Sequence, residues 1–205
     1  MLAAQGLACL RGDRLLFKNV SFDLQSGGLL YVLGENGSGK SSLLRMLCGL
    51  LTPEDGAVLW QGNKIKQAAE SYLSNLTYLG HLNGLKDDLS ALENLQTNAR
   101  LAGNNVSDAS ALAALTAIGI ARCAHLPARV LSQGQKRRVA LAGLWLAKTK
   151  LWILDEPFAA LDVASVEVLA TRISEHLAHG GMAILTTHQD VAVNAQSTQT
   201  LRLSK

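Results

Sequence analysis

The sequence predicts an α/β fold with a parallel sheet at its centre, and three apolar runs carry that prediction. Leu29 to Leu33 is continuously apolar and leads through a glycine-rich loop into the helical pattern Leu43, Leu44, Leu47. Leu151-Trp152-Ile153-Leu154 is apolar at every position, and Met182 to Thr186 is a further buried run that follows a long helical stretch. Strands apolar on both faces belong in sheets covered by helices on both sides.

Taken in order, Leu15 to Leu24 alternates loosely, and together with Leu29 to Leu33 it predicts a two-stranded entry whose second strand feeds the loop. A helix is expected from Ser41 to Leu51, stopped by Thr52-Pro53, with Pro53-Glu54-Asp55-Gly56 as a turn. Ala57 to Trp60 reads as a short strand turning at Gln61-Gly62-Asn63, and Leu76 to Leu79 as another. From about Leu89 to Ala128 the pattern becomes helical and rich in Ala, Leu and Asn, with breaks at Gly103 and Pro127. This segment is a candidate helical subdomain set between the two halves of the core. Ser132 is a good N-cap for a helix to about Lys148, with Val139, Leu141, Ala142, Leu144, Trp145 and Leu146 apolar. A last helix, Val163 to His179, ends at Gly180-Gly181. No internal repeat, low-complexity segment or long linker interrupts the chain.

Composition narrows the function. The 205 residues are 48% hydrophobic and 4% aromatic, enough for one α/β domain with an inserted or appended lobe. A net charge of +3, with Lys136-Arg137-Arg138 the only local basic group, argues against nucleic acid as the main partner. No stretch approaches the roughly 18 apolar residues of a membrane span, and Met1 to Gln5 lacks the regions of a secretion signal. The expectation is a soluble, intracellular chain unless a partner holds it at a membrane. Cys9, Cys48 and Cys123 are odd in number and widely spaced, which fits reduced core thiols rather than disulfides or a metal site of protein ligands.

Two motifs carry the chemistry. Gly34-Glu35-Asn36-Gly37-Ser38-Gly39-Lys40-Ser41-Ser42 matches G-x-x-x-x-G-K-[ST] in the strand-loop-helix setting that motif requires. Its glycines let backbone N–H groups turn toward phosphate oxygens, and the following helix aims its positive end at the same anion. Lys40 would reach the β- and γ-phosphates of a nucleotide, and the Ser41 hydroxyl would ligate Mg²⁺. The second motif is Leu131-Ser132-Gln133-Gly134-Gln135, which precedes the apolar strand ending in Leu154-Asp155-Glu156.

In order, these motifs together with Ala160-Leu161-Asp162 and Thr187-His188 resemble the ATP-binding-cassette ATPases over nearly the whole chain. The resemblance implies a single P-loop domain, residues 1–205, with a RecA-like core sheet, an antiparallel β subdomain and an inserted helical subdomain at about 83–148. It also implies roles for matching residues. Asp155 would hold Mg²⁺ through water, Glu156 would be the general base for the attacking water, and His188 would contact the γ-phosphate. The isolated histidines His125, His176 and His179 carry no such implication. Ser132, Gly134 and Gln135 would face ATP bound by a second subunit, and Asp162 would link the two sites, so the resemblance implies a homodimer with ATP between its copies.

Three residues depart from the common pattern. His81 stands where most of these ATPases have a glutamine near Mg²⁺ and water, so it either replaces that glutamine or is a surface loop residue. Gln133 replaces a glycine, tolerable if its side chain points away from phosphate. Arg11 stands where an aromatic residue stacks on adenine, and it either stacks its guanidinium on the base or is an exposed strand end, which leaves the choice between ATP and GTP open.

Gly80-His81, Leu89-Ser90-Ala91-Leu92-Glu93-Asn94-Leu95, Leu59-Trp60-Gln61-Gly62 and Glu156-Pro157-Phe158-Ala159-Ala160-Leu161-Asp162, in one short cassette, resemble the bacterial cytochrome c biogenesis ATPases, the ATP-binding subunits of a haem exporter. That resemblance implies integral membrane partners in the cytochrome c maturation complex and a peripheral place on the cytoplasmic face of the inner membrane. Hydrolysis would power haem export or release of a haem-loaded chaperone. No Cys-x-x-Cys-His is present and no histidine suits axial ligation, so direct haem binding is not expected. The alternatives are the ATP-binding subunit of another small exporter and a non-transport nucleotide switch.

Overall fold

The computed structural model describes residues 1–203. Two sheets organise it. The first is antiparallel, in the order β2 (Arg14–Leu24), β1 (Leu2–Arg11), β4 (Asp55–Trp60), β5 (Asn63–Lys64). The second is wholly parallel, in the order β6 (Leu76–Leu79), β7 (Leu151–Leu154), β8 (Met182–Thr186), β3 (Gly28–Leu33), β9 (Ser197–Arg202).

The continuous apolar runs now have a physical reason. Along β7, Leu151 and Ile153 join a cluster with α1 (Lys40–Leu47) and the antiparallel sheet, while Trp152 and Leu154 join one with α5 (Gln133–Leu146) and α6 (Val163–Ala178). A strand covered on both faces has no polar face to display. α1 lies between the sheets and buries Leu43, Leu44, Met46 and Leu47.

The second core cluster extends into α3 (Ala91–Leu101) and α4 (Asp108–Ala117), which pack with α5. Where this helical segment leaves and rejoins the core, its two ends are fastened together. Ala91 and Leu92 N–H donate to the carbonyls of Leu126 and Ala124, and Ala128 N–H donates to Leu89 O at 2.9 Å. Ser90 and Glu93 form a capping box at the start of α3. Buried Asn94 accepts from Lys86 N–H at 2.7 Å and donates to the carbonyls of Lys86, Leu89 and Ser90, each at 3.0 Å.

Several boundaries differ from expectation. Both entry strands form, the second feeding the loop, but they lie in different sheets: β2 pairs with β1 and β3 joins the parallel sheet, with a turn of Gly28 N–H on Gln25 O, and Gly27 at φ +75°, redirecting the chain between them. Register shifts along β1 break the alternation that would have revealed it in the sequence. α1 ends at Leu47 rather than Leu51, since Gly49 at φ +76° closes a Schellman motif with Gly49 N–H on Met46 O and Leu50 N–H on Arg45 O. α5 stops at Leu146 rather than Lys148, where Ala147 is extended. Neither β9 nor the short α2 (Ala69–Leu73) is signalled by periodicity. Among the described residues, no helix is long and apolar enough to cross a membrane.

Candidate active site

The glycine-rich loop joins β3 to α1 at the carboxyl edge of the parallel sheet. Two of its glycines are required by space as well as by φ. A Cβ on Gly34 would stand 2.5 Å from Ser38 Oγ, and one on Gly39, at φ +100°, would stand 3.0 Å from the Phe17 ring of β2. Lys40, only 7% exposed, turns its ammonium into the loop and donates to Gly34 O at 2.7 Å and Glu35 O at 3.2 Å. Its third N–H and the buried Ser38 hydroxyl, which has no hydrogen-bond partner among the described residues, are what a phosphate group would satisfy. Asn36 and Gly37 are exposed on the loop, and Ser42 meets the Cys9 thiol of β1.

Two strand ends and the first turn of α1 converge beside the loop. Ser41 Oγ donates to Asp155 Oδ2 at 2.9 Å, and Thr186 Oγ1 donates to Asp155 Oδ1 at 2.6 Å. The same Thr186 oxygen accepts from Glu156 N–H at 2.8 Å. Asp155 is 5% exposed, while Glu156 stays partly open with its carboxylate 3.3 Å from His188 Nε2. The Ser41 and Asp155 oxygens form an oxygen-rich pair of the kind Mg²⁺ accepts. Glu156 takes φ +47°, rare for a side chain other than glycine.

Sequence reasoning missed two residues here. Thr186 is the one hydroxyl in the run Met182 to Thr186, and its place at the carboxyl end of β8 was the available signal. Arg137 reads in the sequence as part of a surface basic group, yet it is buried, on the face of α5 that also carries Leu141 and Leu144. That spacing of four and then three residues was its signal.

His81 lines a groove of ≈ 820 Å³ together with Ser41, Arg45, Tyr78 and Asp155, so the structure brings it into the same groove as the Ser41–Asp155 pair. His188 shares a second depression with Gly34, Glu35 and Ser38. Arg11 is exposed at the tip of the β1–β2 hairpin, the hairpin whose Phe17 covers Gly39.

The remaining expected residues stand apart. Ser132 and Gln135 form a capping box: Ser132 Oγ accepts from Gln135 N–H at 3.2 Å and Gln135 Oε1 from Ser132 N–H at 2.8 Å. A Cβ on Gly134 would lie 3.2 Å from Ala160 O, which ties the start of α5 to the loop before Asp162. Asp162 caps α6 through Ser165 N–H and pairs with Arg138, and the capping hydrogen bonds hold its carboxyl below the usual carboxylate range. Ser132, Gly134, Gln135 and Asp162 line neither depression.

This arrangement agrees with known proteins. The ABC transporter family profile matches residues 17–159. A cytochrome c biogenesis ATP-binding export protein, CcmA, of Nitrosomonas europaea is 52% identical over 204 residues, 100% of this chain and 96% of that protein. The chain belongs to the CcmA family of ABC transporter ATPases. A putative ABC transporter ATP-binding protein from Pyrococcus furiosus shares the fold with a TM-score of 0.84 at 24% identity, covering 98% of this chain and 96% of that one. A dimeric ATP-binding cassette bound to ADP and phosphate has a TM-score of 0.80 at 23% identity, covering 92% and 88% of the respective chains. The P-loop architecture with its antiparallel sheet and helical segment is thus that of the ABC ATPases, and the chain is an ATP-hydrolysing enzyme.

Proposed function

We propose that this chain is the ATP-hydrolysing motor of a cytochrome c biogenesis export complex, working as a homodimer with ATP between its copies. The observation that carries the reading is the connected set Ser41, Asp155, Thr186, Glu156 and His188 beside the loop of Lys40, in a chain 52% identical over its full length to an export ATPase of that system.

The loop from Gly34 to Ser42, with Asn36, Gly37, Ser38 and Gly39, would hold the phosphates, and Lys40 would neutralise the β- and γ-oxygens. Ser41 and Asp155 would hold Mg²⁺, which supplies positive charge against the phosphate oxygens. Glu156 takes a proton from water as the water oxygen bonds to the γ-phosphorus; the bond to the bridging oxygen breaks, and ADP and phosphate leave. His188 orients and stabilises the charge on the transferring group. Each site is finished by Ser132, Gly134 and Gln135 of the second copy, with Asp162 linking the two sites. Local caps hold those groups in place, and none of them reaches this chain's own loop, which supports their service to a neighbour.

His81, in the groove with Asp155, stands in for the usual glutamine, and Arg11 packs against the base. The domain is the whole of residues 1–205, with the helical subdomain at about 83–148. The surface from about His81 to Leu95 docks an integral membrane subunit, which places the chain peripherally on the cytoplasmic face of the bacterial inner membrane. Haem is handled by those partners, and hydrolysis drives its export or the release of a haem-loaded chaperone.

Glu156→Gln tests the reading. The variant is expected to lose hydrolysis by about 10²–10⁴-fold and to be trapped by ATP as a dimer in size-exclusion chromatography. Hydrolysis at the wild-type rate would remove Glu156 as the base. Co-purification with the membrane subunits, lost on alanine replacement between His81 and Leu95, tests the docking surface.

A further inference from the structure

Arg137 is among the few charged side chains buried in this protein, at 6% exposed. Its guanidinium makes no ion pair with a carboxylate among the described residues. One terminal nitrogen, Nη2, donates at 2.8 Å to the carbonyl oxygens of both Asp155 and Glu156. The other, Nη1, donates to Gly80 O at 3.0 Å and to Asn83 Oδ1 at 3.4 Å. One planar group on α5 thus holds the end of β7 and the loop that follows β6.

We propose that Arg137 is a positioning residue for hydrolysis, a clamp that fixes the backbone of Glu156 and so the place of its carboxylate. The proposal rests on Glu156 as the general base. Glu156 sits at φ +47°, a conformation that residues other than glycine rarely adopt and that persists only where its surroundings hold it. Two groups hold it here: Thr186 Oγ1 takes the Glu156 N–H, and Arg137 takes the carbonyls on either side of the Glu156 Cα. Release of one side lets φ relax toward negative values and swings the carboxylate away from His188, now 3.3 Å distant.

The chemistry of the residue fits the task. A rigid fork reaches four acceptors on two segments at once, whereas a lysine ammonium is a single point that cannot span them. The same helix starts at Ser132 and Gly134, so the clamp joins the base of one site to the element that faces another copy. Beside it, Lys136 pairs with Asp87 at 2.8 Å, fastening α5 to the segment that runs from Gly80 into α3.

Steady-state hydrolysis and nucleotide binding by Arg137→Lys and Arg137→Gln test the proposal, with Arg137→Lys keeping a cation in the site should Arg137→Gln fold poorly. The expected result is a fall in kcat of roughly 10–100-fold in both, as for a misplaced catalytic group, with the Kd for a fluorescent ATP analogue changed by less than about 3-fold. In a Glu156→Gln background, Arg137→Gln should produce no further loss of residual hydrolysis, because the group it positions is already gone. A wild-type kcat in Arg137→Lys, a rise in Kd that matches the fall in kcat, or an equal fold loss in both backgrounds would each overturn it. Wild-type hydrolysis by Glu156→Gln alone would instead take down the reading of Glu156, and the clamp with it.

Discussion

At the carboxyl edge of the parallel sheet, polar groups from different elements hold one another; at the starts of α5 and α6, Ser132 and Asp162 are held chiefly by helix caps to residues three positions on, with Asp162 also paired to Arg138. Asp155 accepts from α1 and from β8 at once, and Glu156 is fixed by β8 and α5. Ser132 is satisfied by Gln135, and Asp162 by Ser165 and Arg138. Moving one member of the first set disturbs several elements at once, whereas loss of a single cap costs about 1 kcal/mol. The first region is therefore assembled from this chain's own elements, and the second stands apart from it.

The largest test removes the first region altogether. Lys40→Ala should abolish hydrolysis and weaken ATP binding, read by phosphate release and by a fluorescent nucleotide. Retained hydrolysis would count against the loop assignment. Gly134→Asp should also abolish hydrolysis, by crowding Ala160 and placing a carboxylate where phosphate is expected, yet leave nucleotide binding to the single copy intact. Mixing the two inactive variants then sharpens the contrast. In a mixed dimer one site keeps both Lys40 and Gly134, so hydrolysis should return to a sizeable fraction of the wild-type rate. No recovery would mean that each copy works with its own α5.

A smaller effect is expected far from both regions. His176 stacks on Trp152 with ring centres 3.8 Å apart and planes within 3°, and its ring fills the space that a Cβ on Gly181 would need. Burial drives its pKa down from 6.5 to about 4. The folded state thus resists a proton that the unfolded chain accepts, and stability is full above pH 6.5 and falls between there and about pH 4. The loss should reach about 2–3 kcal/mol, measured by denaturant unfolding across that range. His176→Phe should flatten the dependence, and an unchanged slope would assign it to other groups.

The smallest is a cap. Ser90→Ala should cost about 1 kcal/mol in thermal unfolding and leave hydrolysis by the purified chain unchanged, since Ser90 serves α3 and not the nucleotide.

Much of the first region was legible in the sequence, because its residues end apolar runs: Asp155 and Glu156 follow Leu154, and His188 follows β8. Arg137 was not, since a buried cation among Lys136 and Arg138 looks like a charged surface until its carbonyl partners are known. The edges of elements failed for local reasons. Gly49 ended α1 before Thr52-Pro53 could, and β1 hid behind its irregular register. The tertiary position of Ser132 was also invisible, although its capping role with Gln135 could be read from spacing alone.

The fastened ends of the helical segment have a consequence for change over time. Leu89 and Ala128 are already joined by a hydrogen bond at its neck, and Asn94 pins the chain on the entry side. The entropy of closing that long excursion is met at the neck, and each doubling of its length would add only about 0.6 kcal/mol. Insertions and deletions between α3 and α4, around Gly103, therefore weigh little on the core, and this is where lineages can lengthen, shorten or reshape the cassette without disturbing its hydrolytic edge.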